Sequence, residues 1–168
     1  MGIEKDITKD LYKENIDFLK PEDLSSLFGS KNKENRKHPI LKYAYQFLDA
    51  DKYIVAAPMW NLNIPAILKT YMDYISVTGI TFKYTANGPV GLCEGKKVVC
   101  IVSRGGLYSQ CLGSELEMGD KYLRTIFGFF EINDFTPIAS ENLDVIGEDV
   151  ESIIENTIKN SQKIAREF

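Results

Sequence analysis

The sequence predicts an α/β domain built around a mostly parallel β-sheet. Two observations lead to this class. Short, continuous apolar runs rich in β-branched residues are typical of strands that are buried on both faces, and the segments between them have apolar residues at helical spacing. Strands and helices therefore alternate along the chain. The 168 residues are an ordinary length for one domain, and we find no repeat or linker that would divide residues 1–168.

Three strands are predicted with different strength. Residues 52–57 and 97–103 are the two continuous apolar runs. Residues 132–139 form a weaker run because Pro137 lies within it and lacks an N–H group for pairing, which indicates an edge strand or a strand end. Residues 6–19 fit a short strand followed by a loop about as well as they fit a helical turn, and we favour the strand.

Four helices are predicted around these strands. A short helix at residues 40–49 follows the polar run 30–38, which we interpret as a solvated loop. The next helix has Asn63 as its expected N-cap and Pro65 in its first turn. The apolar faces of the three longer helices consist of Ile64, Ile67, Leu68, Tyr71 and Ile75; of Leu116, Leu123, Ile126, Phe127 and Phe130; and of Val150, Ile153, Ile154, Thr157, Ile158 and Ile164. Acidic residues at 148, 149 and 151 favour a helix start there.

Charge and cysteine usage exclude several classes of function. Lys and Arg total 20 against 24 Asp and Glu, a net charge of −4, and no basic stripe compensates for it. We therefore expect no nucleic acid partner and no docking on an anionic membrane. The charged N-terminus and the lack of a long apolar run predict a cytoplasmic protein. Three cysteines at 93, 100 and 111 and a single histidine, His38, suit neither a disulfide framework nor a metal site.

Two loops that directly follow predicted strands are the candidate binding site. In open α/β sheets, ligands bind beyond the carboxyl ends of the strands. Residues 58–63 place Met59 and Trp60 beside two asparagines, which suits a planar heteroaromatic ligand. A tryptophan packed over the sheet end, with asparagines capping the next helix, would explain the same residues equally well.

The second loop, residues 103–108, contains an adjacent glycine pair. Gly105 and Gly106 let the backbone approach a ligand closely, and Arg104 can add a fixed positive charge. A glycine pair after a strand is also common in tight turns. The two loops at successive strand ends together predict a site for a flat, electron-accepting molecule.

Other residues are given structural interpretations. Residues 85–89 contain Asn-Gly and Gly-Pro and are expected to form a turn, and Tyr84 before it either lines a pocket or packs on the core. Cys100 is expected in the core. Glu115, Glu117 and Asp120 are interpreted as a solvated, acidic helix start. No carboxylate pair, phosphate-binding loop or dinucleotide fingerprint is present.

Residues 53–108 closely resemble the FMN-dependent NADH:quinone oxidoreductases, also called FMN-dependent azoreductases. Five features occur in that family's order: the A-P-M-W-N loop, the helix after it, the segment G-I-T-F-K-Y-T-A-N-G-P, a G-K-K before a strand, and S-R-G-G. The resemblance implies a flavodoxin-like open parallel sheet with helices on both faces. It also implies a homodimer with FMN near its interface, NADH or NADPH as electron donor, and a quinone or azo compound as acceptor in a ping-pong cycle.

The resemblance also assigns roles to the two loops, with no catalytic side chain and no metal. Trp60 replaces a tyrosine that is common in the family, and Leu62 replaces a frequent phenylalanine. Tyr84 and Tyr108 would shape the substrate pocket. The residues implied in FMN binding are Pro58, Met59, Trp60, Asn61 and Leu62 along the ring, and Ser103, Arg104, Gly105 and Gly106 at its pyrimidine side.

One part of the family pattern is not found before Asp6. Family members begin with an apolar strand, a Ser-rich loop that holds the FMN phosphate, and a helix, whereas residues 6–19 resemble the family's second strand. Without that first unit, strand 52–57 would lose its central neighbour. Residues 6–19 could close against it, a second copy could cover it, or the sequence could omit residues. The alternative function is a truncated flavodoxin-like remnant that binds FMN weakly or not at all and acts as a structural or interaction module.

Overall fold

The computed structural model describes residues 6–28 and 34–168. Its strands are β1 (Lys52–Pro58), β2 (Phe82–Thr85), β3 (Gly88–Gly91), β4 (Lys97–Ser103) and β5 (Asp134–Ser140). Its helices are α1 (Leu24–Phe28), α2 (Leu41–Asp49), α3 (Ala66–Ile75), α4 (Cys111–Leu116), α5 (Gly119–Phe129) and α6 (Val150–Glu167), with a 3-10 turn at Pro21–Asp23. The predicted strands and helices alternate as expected.

A parallel three-stranded sheet lies at the centre, in the order β1-β4-β5. Pro58 is opposite Ser103, and Ser103 is opposite Ser140, so the carboxyl ends of all three strands lie at one edge of the sheet. β2 and β3 form a separate antiparallel hairpin around the predicted turn. Pro137 lies inside β5 rather than at its end, and among the residues that the structure describes β5 pairs with β4 alone, so of the two predictions the edge strand is confirmed.

Helices cover both faces of the sheet. On one face, Tyr53 of β1 stacks on Phe47 of α2 with ring centroids 4.2 Å apart, and Phe135 of β5 lies 6.1 Å from Phe127 of α5. On the other face, α6 packs against β5, where the Thr157 hydroxyl lies 3.3 Å from the Ser140 hydroxyl. The predicted α/β architecture is therefore confirmed.

β1 is less buried than its composition predicts. Its residues alternate between half-buried and exposed, and Ile54 is 66% exposed. Among the described residues β1 pairs with β4 alone, so one side of the strand and part of one face have no neighbour. Burial on both faces is wrong for β1, whereas the central strand β4 has the expected buried middle.

Residues 6–19 do not form the predicted strand. The N–H groups of Lys13 and Glu14 donate to the Asp10 carbonyl, and the Asp10 side chain accepts from Tyr12, which makes a turn. The segment then packs on the helices, where the Tyr43 hydroxyl donates to Glu14 at 3.0 Å. Local turn chemistry at Asp10 therefore prevails over strand propensity, and this segment does not close against β1.

The helix boundaries differ in detail from those predicted. The N-cap of α3 is Pro65, not Asn63, because the Asn63 side chain accepts instead from the neighbouring N–H of Ile64. The third predicted helix, whose expected apolar face runs from Leu116 to Phe130, is interrupted after Leu116, so that α4 ends there and α5 begins at Gly119. α6 begins as expected, with the Asp149 side chain accepting from the N–H of Ser152. Residues 30–33 of the predicted polar loop lie outside the described residues, and α2 follows as expected.

Cys100 lies in the core as predicted, and burial raises the pKa of its thiol to about 12. Over the ranges described, no helix combines the length and apolar character that crossing a bilayer requires.

Candidate functional site

The structure brings the two predicted loops together at the carboxyl edge of the sheet. The N–H of Met59 donates to the Ser103 carbonyl at 2.9 Å, which extends the pairing of β1 and β4 beyond the strands. The N–H of Arg104 in turn donates to the Ser140 carbonyl at 2.8 Å. Residues 58–63, 103–109 and 140–144 therefore form three adjoining loops, here called the first, second and third loop.

The first loop is a tight turn with an unusual backbone. Trp60 and Asn63 exchange two backbone hydrogen bonds of 2.8 and 3.0 Å. The two residues between them are both left-handed, with φ of 48° at Asn61 and 68° at Leu62. Asparagine tolerates this region, but leucine is rarely found there. A hydrogen bond of 2.9 Å from the N–H of Met118 to the Leu62 carbonyl helps to hold the turn.

This turn presents an aromatic side chain and free donors. Trp60 is 53% exposed, so it does not pack over the sheet end. The backbone N–H groups of Asn61 and Leu62 donate no hydrogen bond within the described residues. A groove of about 420 Å³ lies beside the turn, lined by Trp60, Asn61, Asn63, Ile64, Pro65, Ala66, Lys69 and Tyr122.

In the second loop, three successive carbonyls bind the third loop. The Arg104, Gly105 and Gly106 carbonyls accept from three N–H groups of the third loop, at 3.2, 2.9 and 3.2 Å; these donors are Leu143, Asp144 and Asn142. In the described part of the chain, the N–H groups of Gly105 and Gly106 have no acceptor. The glycine pair therefore offers two free donors in a loop that adjoins the first loop.

Arg104 is buried rather than presented. Its side chain is 6% exposed and lies between two carboxylates, with Nη1 3.0 Å from Glu141 and Nη2 3.4 Å from Glu117. Its Nε atom is buried without a partner among the described residues. The positive charge of Arg104 is thus neutralised by buried carboxylates and is not presented to a ligand.

The two carboxylates also bind the backbone. Glu117 accepts from the N–H of Asp120 with both oxygens, at 3.0 and 2.9 Å, at the start of α5. Glu141 accepts from the N–H of Tyr108 at 2.8 Å and from the Ser109 hydroxyl. Burial would raise the pKa of Glu141, but the hydrogen bonds from Ser109, Arg104 and Tyr108 outweigh it and lower its pKa.

Sequence reasoning was wrong about Glu117 and missed Glu141. Glu117 is 6% exposed instead of solvated, because it caps α5 and pairs with Arg104. An acid just before a helix was a usable signal for the cap. Nothing local in the sequence indicates that Glu141 reaches back to residues 104–109, because that contact depends on the alignment of two strand ends.

The two predicted pocket tyrosines lie in different places. Tyr108 is in the second loop, where its ring is 3.4 Å from the position a Cβ would take on Gly106. Tyr84 lies on the hairpin and is 67% exposed. The hairpin packs against the far end of α5, where the ring centroids of Phe82 and Phe129 are 4.7 Å apart and those of Tyr84 and Phe82 are 5.6 Å apart. Because α5 starts beside Glu117, Tyr84 is separated from the loops of its own chain by the length of that helix.

Comparison with known proteins identifies the family. A family model described as flavodoxin-like fold matches residues 5–165. An FMN-dependent NADH:quinone oxidoreductase of Clostridium perfringens (strain ATCC 13124) is 62% identical over 162 residues, which are 96% of this chain and 80% of the relative. The chain belongs to this family. A relative of the same name from Caldicellulosiruptor saccharolyticus is 57% identical, with 96% of this chain and 81% of the relative covered.

Solved structures of the family support the same assignment. An azoreductase from Bacillus anthracis str. Sterne superposes with a TM-score of 0.85 at 34% identity, covering 96% of this chain and 81% of that one. An FMN-dependent NADH-azoreductase from Bacillus anthracis str. Ames Ancestor, solved in complex with FMN, gives a TM-score of 0.83 at 27% identity, covering 95% of this chain and 78% of that one. The flavodoxin-like fold and the family resemblance are both confirmed.

Proposed function

We propose that this protein is an FMN-dependent oxidoreductase that transfers electrons from NADH to quinones or azo compounds. The names of its relatives support the reaction, and the site supports the cofactor. The observation that matters most is the pair of adjoining loops that offer the free N–H groups of Asn61, Leu62, Gly105 and Gly106 beside an exposed tryptophan.

These groups suit the ring of FMN better than its phosphate. A flavin ring is flat, and its pyrimidine edge has several hydrogen-bond acceptors, which backbone N–H groups match. A phosphate requires several donors or cations. Arg104 is already bound by two carboxylates, and Lys69 in the groove beside the first loop is paired with Asp73. We propose that Pro58, Met59, Trp60, Asn61, Leu62, Ser103, Gly105 and Gly106 line the ring, with Arg104 behind them.

The chain then contributes binding and electrostatics. FMN, when bound, supplies the electron transfer between donor and acceptor. Met59 and Trp60 provide an apolar wall that keeps water from one side of the ring. The free N–H groups would stabilise negative charge at the pyrimidine edge of bound FMN, because fixed dipoles in a water-poor site need no reorganisation. Donor and acceptor would bind in turn beside the exposed Trp60, which is the ping-pong order that we propose.

The test is NADH oxidation by the purified protein with a soluble quinone and with an azo dye, each with and without added FMN. We expect activity with both acceptors that depends on FMN, and a parallel series with NADPH measures the donor preference. If the protein neither retains nor binds FMN and does not oxidise NADH when FMN is supplied, the proposal is wrong.

We also propose a cytoplasmic homodimer. Around the site, large apolar side chains are exposed on the loops, on α4 and just before α5; these are Trp60, Leu62, Leu107, Leu112, Leu116 and Met118. Large apolar side chains exposed near one site suit contact with a second copy. Tyr84, which is remote from its own loops, would then lie at a partner's site. Sedimentation should give a dimer at micromolar concentration, and a monomer would refute this arrangement.

The unpaired side of β1 favours a second candidate function. Because Ile54 is exposed and β1 pairs with β4 alone among the described residues, this strand edge can pair with another chain, which favours an interaction module that binds FMN weakly or not at all. Titration with FMN and with riboflavin separates the two candidates. A strong preference for FMN supports the enzyme because it requires a phosphate site, whereas equal, weak binding of both supports the remnant.

A further inference from the structure

Arg104 connects three parts of the site through its side chain. It follows β4, its Nη1 binds Glu141 after β5, and its Nη2 faces Glu117 at the start of α5. All three side chains are almost fully buried. Removing one member of a buried charge group leaves the others without compensation, so the group acts as a unit.

Glu141 transmits this connection to the second loop. Its carboxylate receives the N–H of Tyr108 and the hydroxyl of Ser109 in addition to Arg104. The loop is therefore fixed at both ends, by the Arg104 backbone at residue 104 and by Glu141 at residues 108 and 109. Gly105 and Gly106 lie between these anchors.

The hydrogen bonds to the third loop decide which glycine groups stay free. The carbonyls of residues 104–106 are all bound by residues 142–144, so the carbonyl side of the segment faces the third loop. A segment fixed at both ends and along its carbonyl side has little freedom to rotate its remaining N–H groups. The glycine pair gains its fixed direction from these contacts, since glycine by itself is the most flexible residue.

We propose that Arg104 is a positioning residue for the flavin ring: through Glu141 and Glu117 it fixes the second loop so that the N–H groups of Gly105 and Gly106 are held ready for ring acceptors. It does not touch the ring with its own charge. This inference rests on the proposed function, because it assigns the flavin ring as the ligand of those two donors.

The informative variant is Arg104→Lys. Lysine keeps the positive charge and so avoids leaving two buried carboxylates without a cation, but its single ammonium cannot reproduce the planar fork that reaches both. The matched control is Arg36→Lys, which changes an exposed arginine paired with Asp49 on the surface. Glu141→Gln is the second variant, since it removes the charge that links Arg104 to Tyr108.

Two measurements are made on each protein: amide hydrogen exchange without flavin, and the FMN dissociation constant. In Arg104→Lys and Glu141→Gln, we expect the Tyr108 amide to exchange at least about tenfold faster, while β4 amides are unchanged, because a hydrogen bond to a charged group is lost or weakened. The FMN dissociation constant should rise by about tenfold or more. Arg36→Lys should change neither quantity by more than about twofold.

The outcomes separate this inference from the proposed function. If the original protein binds FMN and the variants loosen the loop but bind FMN equally well, the second loop does not hold the ring and the inference is wrong, while the function stands. If Tyr108 exchange is also unchanged, Arg104 does not position the loop. If the original protein binds no FMN at all, the proposed function fails and the inference fails with it.

Discussion

The first and second loops adjoin at the same edge of the sheet but are held by different forces. Within residues 6–28 and 34–168, no ion pair holds the first loop: a pair of backbone hydrogen bonds between Trp60 and Asn63 imposes a left-handed turn on the residues between them. The second loop has ordinary backbone angles and is fixed by the buried Arg104 and its two carboxylates. One side of the site therefore depends on backbone conformation, and the other depends on charge.

This difference predicts which changes will distort each loop. A charge-dependent loop is sensitive to pH and to single charge deletions, whereas a conformation-dependent loop is sensitive to glycine substitution and indifferent to pH. Both loops present free N–H groups, so distortion of either loop would weaken binding of the same ligand. Variants in the two loops can thus be compared directly.

The largest effect is expected for Arg104→Met in the second loop. It leaves Glu117 and Glu141 buried without a cation, and breaking a buried charge pair typically costs about 3–5 kcal/mol. Denaturant unfolding should show a loss of that size in the free energy of unfolding. Arg36→Met, at an exposed pair, should cost less than about 1 kcal/mol. Equal losses in both variants would mean that burial of the Arg104 group contributes nothing.

The next effect is the pH dependence that Glu141 brings to the second loop. Its pKa is lowered in the folded protein, so its contribution to stability is fully present above the pKa of the unfolded chain and is lost as the pH falls through the folded value. Glu141→Gln should cost about 1.5–3 kcal/mol at pH 7, the range for hydrogen bonds to charged groups.

The measurement is the free energy of unfolding of the original protein and of Glu141→Gln between pH 3 and pH 7. The difference between them should be constant near neutrality and should shrink below about pH 4.5, near the ordinary value for glutamate. A difference that stays constant down to pH 3 would contradict the role of the Glu141 charge.

A smaller, opposite effect is expected in the first loop. Leu62→Gly relieves the left-handed strain at φ 68° and should stabilise the protein by roughly 0.5–1 kcal/mol, after the entropy that glycine adds to the unfolded chain. The matched control is Leu107→Gly, an exposed leucine of the second loop without positive φ, which should lose roughly 0.5–1 kcal/mol. Thermal unfolding of Leu62→Gly and Leu107→Gly shows whether each substitution raises or lowers the stability. A loss in Leu62→Gly would show that its side-chain contacts outweigh the strain.

The smallest effect is expected for Asn61→Gly. Asparagine adopts left-handed angles readily, so replacing it relieves little strain, and the change should stay within about 0.5 kcal/mol. The same unfolding measurement applies. A gain as large as that of Leu62→Gly would mean that residue type at the turn does not matter.

Much of the fold and the position of the site could be predicted from the sequence. The composition of the runs at 52–57 and 97–103 predicts buried strands. The carboxyl ends of neighbouring parallel strands lie at the same edge of a sheet, so the position of the two loops follows. The composition of β1 did not predict its burial, because burial depends on which neighbours cover a strand; only the family pattern indicated that strand 52–57 would lose its central neighbour. Residues 6–19 were ambiguous, and a local turn at Asp10 decided them.

The charges of the site were harder to predict than its position. Arg104 was recognised as a candidate, but its burial was not, because its partners are 13 and 37 positions away in sequence. Glu117 was predicted to be exposed only because other acidic residues lie near it in the sequence. A partner brought near by strand alignment leaves no local pattern for sequence reasoning to find.

The most direct test of the central claim is an amide NMR titration of the isotope-labelled protein with FMN. The claim is that the first and second loops hold one flavin ring between them. We predict that the amide signals of Asn61, Leu62, Gly105 and Gly106 shift together and saturate at one FMN per chain. Saturable FMN binding that leaves these four signals in place would contradict the account.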